Sequence, residues 1–447
     1  MLNPLAFYAG LYAASAAALK FAGFVYFLWL ARTLPVEEYA QWGLLYALQT
    51  GVSSLAAVGI VEAVIGLLKR HRMPDEQKRL FAAANTVFVA SALCSAVGAA
   101  AIFALFVGRQ DASPLAVFYV VLSGTLLAYA SLQAQIVRLD ERHAAALWFN
   151  FLVPLTGLAG SIAAFAVQST VLAFFAGSTA GLMLGLAAAW LKGLGMYAFT
   201  TSTAEWRPIV SRVSPFIAVT FLGWLSGYGT NYIVKFFFDS PEVAKFTLVF
   251  MLSTLMQLVA SATNQVWGPR FYRIVHDLPI DEVEVRNRRF YDAQGFALGV
   301  AGGLLIALYP LVARIVGGNL TEYGSIAPEL FLLIVSYVIL VPYWHCQNYL
   351  LAYDRGPSVM RMHLVTSAVG FVLMLVLIYA LGPIGVYAGF GVQMVLRTAG
   401  AYVIARAHWP VRVSWWGIAA GCACTALGFA AAESGLGGAL LAGVAAI

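Results

Sequence analysis

The chain has 447 residues, 62% of them hydrophobic and only 10% charged, with a formal net charge of +6. Ordinary soluble domains carry about a quarter charged residues, so a soluble globular fold is excluded and a bilayer is the solvent this much apolar surface requires. The positive balance calls for no nucleic-acid partner, because basic loops facing an anionic leaflet account for it.

A membrane helix needs about 20 apolar residues to cross the hydrocarbon. Runs of that length begin near Leu5, Tyr39, Leu80, Leu115, Ala144 and Val171. The polar stretch Lys192 to Arg212 follows, and six more runs begin near Val213, Val243, Ala293, Ala327, Leu364 and Ile384. A thirteenth covers about Ser414 to Ala431. The last apolar segment, Ala439 to Ile447, is too short to span alone and is read as half of a fourteenth helix starting within Glu433 to Gly438. The expected fold class is all-α integral membrane with 12–14 transmembrane helices and no folded domain outside the bilayer. The first run is too long for a signal peptide and lacks a basic stretch before it, so it reads as a retained membrane helix.

The basic residues orient the spans. With the N-terminus in the cytoplasm, the inner loops hold 19 of the 26 Lys and Arg, while the outer ends hold only Arg32, Arg109 and Arg314. The positive-inside rule favours this arrangement. Lys20, Lys235, Lys245 and Arg397 remain in or beside helices. The two sets of six helices echo one another: Pro35 to Ala40 leads into the second helix as Asp239 to Ala244 leads into the eighth. Each is a tight outer turn with a carboxylate at a helix N-terminus, where negative charge is stabilised. The expected organisation is a six-helix lobe at 1–200, a cytoplasmic connector at 201–212, a second six-helix lobe at 213–408, and one or two further membrane segments at 409–447. Gly177, Gly181 and Gly185 recur every four residues and predict a close helix contact inside the first lobe. Cys94, Cys346, Cys422 and Cys424 all sit in apolar runs and read as small packing residues.

Three stretches carry a likeness. The first runs from Leu30-Ala31-Arg32-Thr33-Leu34-Pro35 through Glu38-Tyr39-Ala40 to Val58-Gly59-Ile60. The second runs from Ser214-Pro215 through Trp224 and Asn231-Tyr232-Ile233-Val234 to Asn264-Gln265-Val266-Trp267-Gly268-Pro269. The third is Leu381-Gly382-Pro383-Ile384-Gly385-Val386-Tyr387-Ala388. In this order and spacing they resemble the polysaccharide-type flippases of the multidrug/oligosaccharidyl-lipid/polysaccharide exporter superfamily, which include the O-antigen and exopolysaccharide repeat-unit flippases. The likeness covers nearly residues 1 to 405. It departs from the family pattern at Ala40 and Ala244, where Gly is usual. It departs again at Asn231-Tyr232, where an Asp-Arg pair is often found. The resemblance implies a V-shaped pair of six-helix bundles in the bacterial inner membrane. It also implies that undecaprenyl-diphosphate-linked oligosaccharides are moved from the inner to the outer leaflet.

Charges deep in a membrane helix cost about 2.5–3.5 kcal/mol each on insertion scales and usually face a cavity or a partner. Lys20 lies roughly 22 Å along the first helix, and Arg397 roughly 13 Å from the inner end of the twelfth. Gln393 sits one turn before Arg397 on the same face. A guanidinium fork beside an amide suits phosphate oxygens, so Lys20 and Arg397 are expected to draw a diphosphate into a central cavity. The competing reading pairs each with a buried carboxylate or lets it snorkel. Lys235 offers a further cationic step near the exit, or an interfacial anchor. Asn231, Asn264 and Gln265 are candidate sugar-binding amides; like Asn85 and Gln133, they fit interhelical bonding too. Glu62, about 10 Å inside the cytoplasmic end of the second helix, is the ion-coupling candidate, or the counter-charge of a nearby Lys or Arg. The coupling ion, proton or sodium, stays open.

His345 and Cys346 are adjacent and point apart on a helix, so no metal site is expected, and no cofactor. No P-loop is present, and no outer loop exceeds about a dozen residues on this span count, which argues against an enzyme. The expected partners are the lipid-linked oligosaccharide, bilayer lipids, and a polysaccharide polymerase with other assembly proteins. The alternatives are a cation-coupled multidrug exporter of the same superfamily and a membrane polysaccharide polymerase.

Overall fold

The structure is a computed structural model, which describes residues 4–68, 73–106, 113–323, 325–353 and 355–434. Every regular element among them is helical. Eleven of these helices are long and apolar enough to cross a membrane, and twelve if the bent pair Thr203–Ser214 and Phe216–Leu225 is one span. The expected fourteenth helix, within 433–447, falls almost wholly outside the described residues. By their contacts the residues form two compact units, Met1–Ala244 and Lys245–Ile447.

The first unit opens with α1 (Pro4–Thr33) and α2 (Val36–Ala56), the latter with Glu37 and Glu38 in its first turn. Residues 57–59 interrupt the span before α3 (Ile60–Leu68) resumes it. The break is encoded locally: Gly59 has φ +63°, a left-handed conformation that costs other residues about 1–2 kcal/mol. The helices α4 (Pro74–Phe106) and α5 (Pro114–Leu139) follow, and the Ser113 side chain accepts from the Ala116 amide at the α5 N-cap. The short α6 (His143–Leu147) passes through a π turn at Trp148–Leu152 into α7 (Val153–Val167). Pro154 explains that turn, because a helical proline cannot donate and crowds the carbonyl four residues back. Then α8 (Val171–Leu191) returns against α7. Their contact is glycine-lined as expected: a methyl group on Gly177 or Gly181 would collide with the backbone of Gly160 or Thr156.

The segment 194–202 is pinned rather than free. Asn85 donates to the Met196 and Ala198 carbonyls, Gln133 accepts from the Met196 amide at 2.9 Å, and Thr86 donates to the Thr200 carbonyl. Asn85 and Gln133 are fully buried and serve as interhelical bonding groups. Residues 203–212 are helical and open α9 (Thr203–Leu225), which is bent by 46° at Pro215 and is followed by α10 (Thr230–Phe237). Both pack in this unit, on α2 and α4, although the sequence grouped them with the later helices. The Trp224 indole donates to the Ala47 carbonyl at 2.8 Å and the Tyr232 hydroxyl to the Leu44 carbonyl at 2.7 Å. These long-range bonds tie α9 and α10 to α2.

The second unit begins within α11 (Ser240–Asp277) and continues through α12 (Ile280–Val316), a 3-10 turn at Gly318–Tyr323, α13 (Ala327–Ile339), α14 (Val341–Ala352), α15 (Gly356–Leu381), α16 (Ile384–Arg406) and α17 (Trp416–Glu433). The helix α17 is not a loose appendage. It lies against α12 with Gly299 and Gly303 meeting the backbone around Gly421 and Cys424. Both α11 and α12 exceed 35 residues, roughly 55 Å each. That is well beyond a hydrocarbon core of about 30 Å. The hairpin that joins them is densely charged between Arg270 and Asp292, so it is the polar end of both helices.

Candidate functional site

In the second unit, Arg397 of α16 lies among α13, α14 and α15. Its Nη2 donates to the Ser367 hydroxyl at 3.0 Å, and its buried Nε has no hydrogen-bond partner. Tyr337, Tyr343 and His363 are near enough to interact with its charge. Tyr343 and His363 are bonded to each other at 2.5 Å. One turn back, Gln393 is buried against Gly370 of α15. No carboxylate among the described residues pairs with Arg397, so the ion-pair alternative for it is not realised. A guanidinium with an unsatisfied donor, set among hydroxyls and an imidazole, is electrostatically open to an anion.

Two buried or half-buried carboxylates of this unit, Glu329 and Glu284, are engaged elsewhere. Lys245 pairs with Glu329 at 2.5 Å. Glu284, near the start of α12, is buried and accepts from the Tyr349 hydroxyl at 2.8 Å, from His345 Nε2 at 3.1 Å and from the Arg412 amide at 2.7 Å. Trp409 stacks on Tyr349 and Tyr353 beside it. Glu284 thus ties α12, α14 and the segment after α16 together. Sequence reasoning passed over it, because a carboxylate near a cytoplasmic helix end resembles many solvated ones; only the long-range partners distinguish it. Among the described residues no group of three or more His, Cys, Asp or Glu could hold a metal.

In the first unit, Glu62 lies one turn beyond the break in the second span. It lines a cavity of about 600 Å³ with Ser53, Ser54, Ser131, Gln135 and Arg138. Glu62 makes no ion pair among the described residues, although Arg138 shares its cavity and bonds Gln135. An unwound point in a membrane helix beside a carboxylate is a recurrent construction of ion sites in transporters.

The remaining sequence candidates separate. Lys20 is exposed on α1. Asn231 is buried and donates to the Tyr228 carbonyl at 3.0 Å. Lys235 is half-buried at the end of α10. Asn264 accepts from the Tyr291 hydroxyl, which in turn accepts from Asn348. The Gln265 side chain lies outside the described residues. The structure therefore brings Arg397 and Gln393 together on α16, while Asn231 and Asn264 have protein partners.

Residues 9–275 match the family described as polysaccharide biosynthesis protein, more than half of the chain. The chain belongs to that family. No match is found among curated protein sequences. Among solved structures it is similar to the lipid II flippase MurJ in an inward closed conformation, with a TM-score of 0.67 at 12% identity over 96% of this chain and 99% of that one. It is also similar to a multidrug resistance MATE family transporter of the MOP superfamily in an inward-facing conformation, with a TM-score of 0.63 at 14% identity over 87% and 94%. The Vibrio cholerae MATE transporter VcmN in its bent form matches with a TM-score of 0.52 at 12% identity over 92% and 99%. At these identities the likeness is one of fold. The fold is the multi-pass helical one of those flippase and transporter structures.

Proposed function

We propose that the protein moves undecaprenyl-diphosphate-linked oligosaccharide repeat units from the inner to the outer leaflet of the bacterial inner membrane by alternating access. Its N-terminus and the basic loops then face the cytoplasm. The observation that carries this reading is Arg397, a membrane-embedded guanidinium with an orphan donor and no carboxylate partner among the described residues. An embedded cation left open in this way fits a phosphate better than it fits packing, since unpaired buried charge is costly. In the same reading Lys20 and Lys235 supply further positive charge along the route. Asn264, Gln265 and Asn231 border the sugar path, and Glu62 takes up the coupling ion. The protein delivers its product to a polysaccharide polymerase and other assembly proteins at the outer leaflet.

The test is a deletion strain complemented with Arg397→Gln. Lipid-linked repeat units are expected to accumulate on the inner leaflet, with surface polysaccharide lost. Accumulation on the outer leaflet in the deletion strain would instead identify a polymerase. The exporter alternative requires an available embedded carboxylate, and Glu62 is the one that favours it; transport of a cationic drug abolished by Glu62→Gln, with surface polysaccharide intact, would establish it.

A further inference from the structure

The hairpin between α11 and α12 carries a second cationic feature that the transport proposal does not use. Along these antiparallel helices a ladder of polar contacts runs toward the turn. Gln294 donates to Thr263 at 2.5 Å, Tyr291 to Asn264 at 3.2 Å, and the Trp267 indole to Asn287 at 2.7 Å. Asn287 is fully buried, and Trp267 stacks on Phe290 at 4.7 Å with the rings nearly parallel. Beyond this braced end the helices enclose an open hollow of about 630 Å³, lined by Trp267, Arg270, Arg273, Asp277, Arg286 and Arg289 with Ile274.

The arginines come as two pairs spaced by three residues, one pair per helix, so each pair shares a face. A general bias of basic residues toward the inner side of a membrane explains their presence but not this selection: Arg288, in the same run, does not line the hollow. Arg286 is shared with Glu282 at 2.6 Å. Arg270 and Arg289 have no carboxylate partner among the described residues. Four guanidinium groups face one lining carboxylate, Asp277. The volume falls within the roughly 300–1,000 Å³ of small-molecule sites, and Arg forks are suited to bidentate phosphate binding. The arginines stand in the densely charged stretch between Arg270 and Asp292, which joins the apolar runs of the two helices and suits headgroup level rather than the acyl chains.

We infer that this hollow binds the phosphate groups of a lipid headgroup at the inner leaflet, separately from Arg397. The assignment rests on the orientation proposed above. The shared chemistry is a lipid-borne phosphate anion, from either a polyprenyl diphosphate or an anionic phospholipid.

The test uses the full-length protein in phosphatidylcholine nanodiscs. Farnesyl diphosphate is titrated as one probe. Co-purification of doped phosphatidylglycerol is the other. For the Arg270→Gln/Arg289→Gln double variant, binding of at least one probe is expected to fall tenfold or more. Loss confined to farnesyl diphosphate identifies a polyprenyl diphosphate as the source, and loss confined to phosphatidylglycerol identifies bilayer lipid. Asp277→Asn, which removes the lining carboxylate, is expected to tighten binding, a gain that misfolding does not produce. Arg361→Gln, an exposed arginine outside the hollow, is expected to leave binding within twofold. Unchanged binding of both probes in the double variant, or an equal loss in Arg361→Gln, would overturn the site. If Arg397→Gln supports normal transport while the double variant still loses binding, the flippase reading fails and the headgroup site stands.

Discussion

Arg397 and Glu284 are opposite cases of a charge placed inside a helical unit. Glu284 has every strong demand met, by a phenol, an imidazole and an amide from two other parts of the chain. Replacing it with Ala strands those donors, at about 1–3 kcal/mol for a buried unsatisfied group. The expected outcome is a lower melting temperature in detergent, with release of the 407–415 segment seen as faster hydrogen exchange. Arg397 keeps one bond, to Ser367, and an orphan Nε. Arg397→Gln should therefore cost little stability but about 1.5–3 kcal/mol of charged hydrogen bonding to an anion, read as at least tenfold slower transport in reconstituted vesicles. Arg397→Lys keeps the charge and loses the fork, so it should fall between the two. Arg397 was legible from sequence because an arginine inside an apolar run has few explanations. Glu284 was not, because its partners at 345, 349 and 412 are brought to it only by folding.

At the level of elements, the break in the second span is the feature with most local encoding. Gly59 is held at φ +63°, and a methyl group there would sit 3.0 Å from the Phe216 ring. Gly59→Ala is expected to cost about 1–2 kcal/mol and to alter the cavity that Glu62 lines, measurable as lower thermal stability together with a changed pH profile of transport. Glycine stripes do related work between helices. The α7–α8 contact was readable from the spacing of Gly177, Gly181 and Gly185. The α12–α17 contact carries a comparable spacing at Gly295, Gly299 and Gly303. Gly421→Leu should drive α17 off α12, since overpacking costs about 1–3 kcal/mol or more. Protease susceptibility of the C-terminal helix would report it.

For the whole molecule, an inside-negative potential favours outward movement of an anionic headgroup by about 2.3 kcal/mol per charge per 100 mV. The potential therefore adds to whatever drive the proposed transport takes from a coupling ion or from downstream consumption of product. If Glu62 takes up a proton, Glu62→Gln should flatten the pH dependence of transport while leaving substrate binding unchanged. An unaltered profile would remove Glu62 from coupling. Collapsing the potential alone should slow outward movement in wild-type vesicles, because the field that drives the anion outward is removed.

Composition and hydropathy by themselves determined that this is a helical membrane protein, roughly how many spans it has, and which charged residues lie in apolar runs. Those properties follow from what each residue pays to sit in hydrocarbon, which is additive along the chain. The grouping of α9 and α10 with the first unit, the roles of Asn85 and Gln133 as pins for the 194–202 segment, and the difference between a satisfied Glu284 and an unsatisfied Arg397 were decided only by tertiary structure. Each depends on hydrogen bonds between residues far apart in sequence, and a bond exists only where packing brings donor and acceptor within reach.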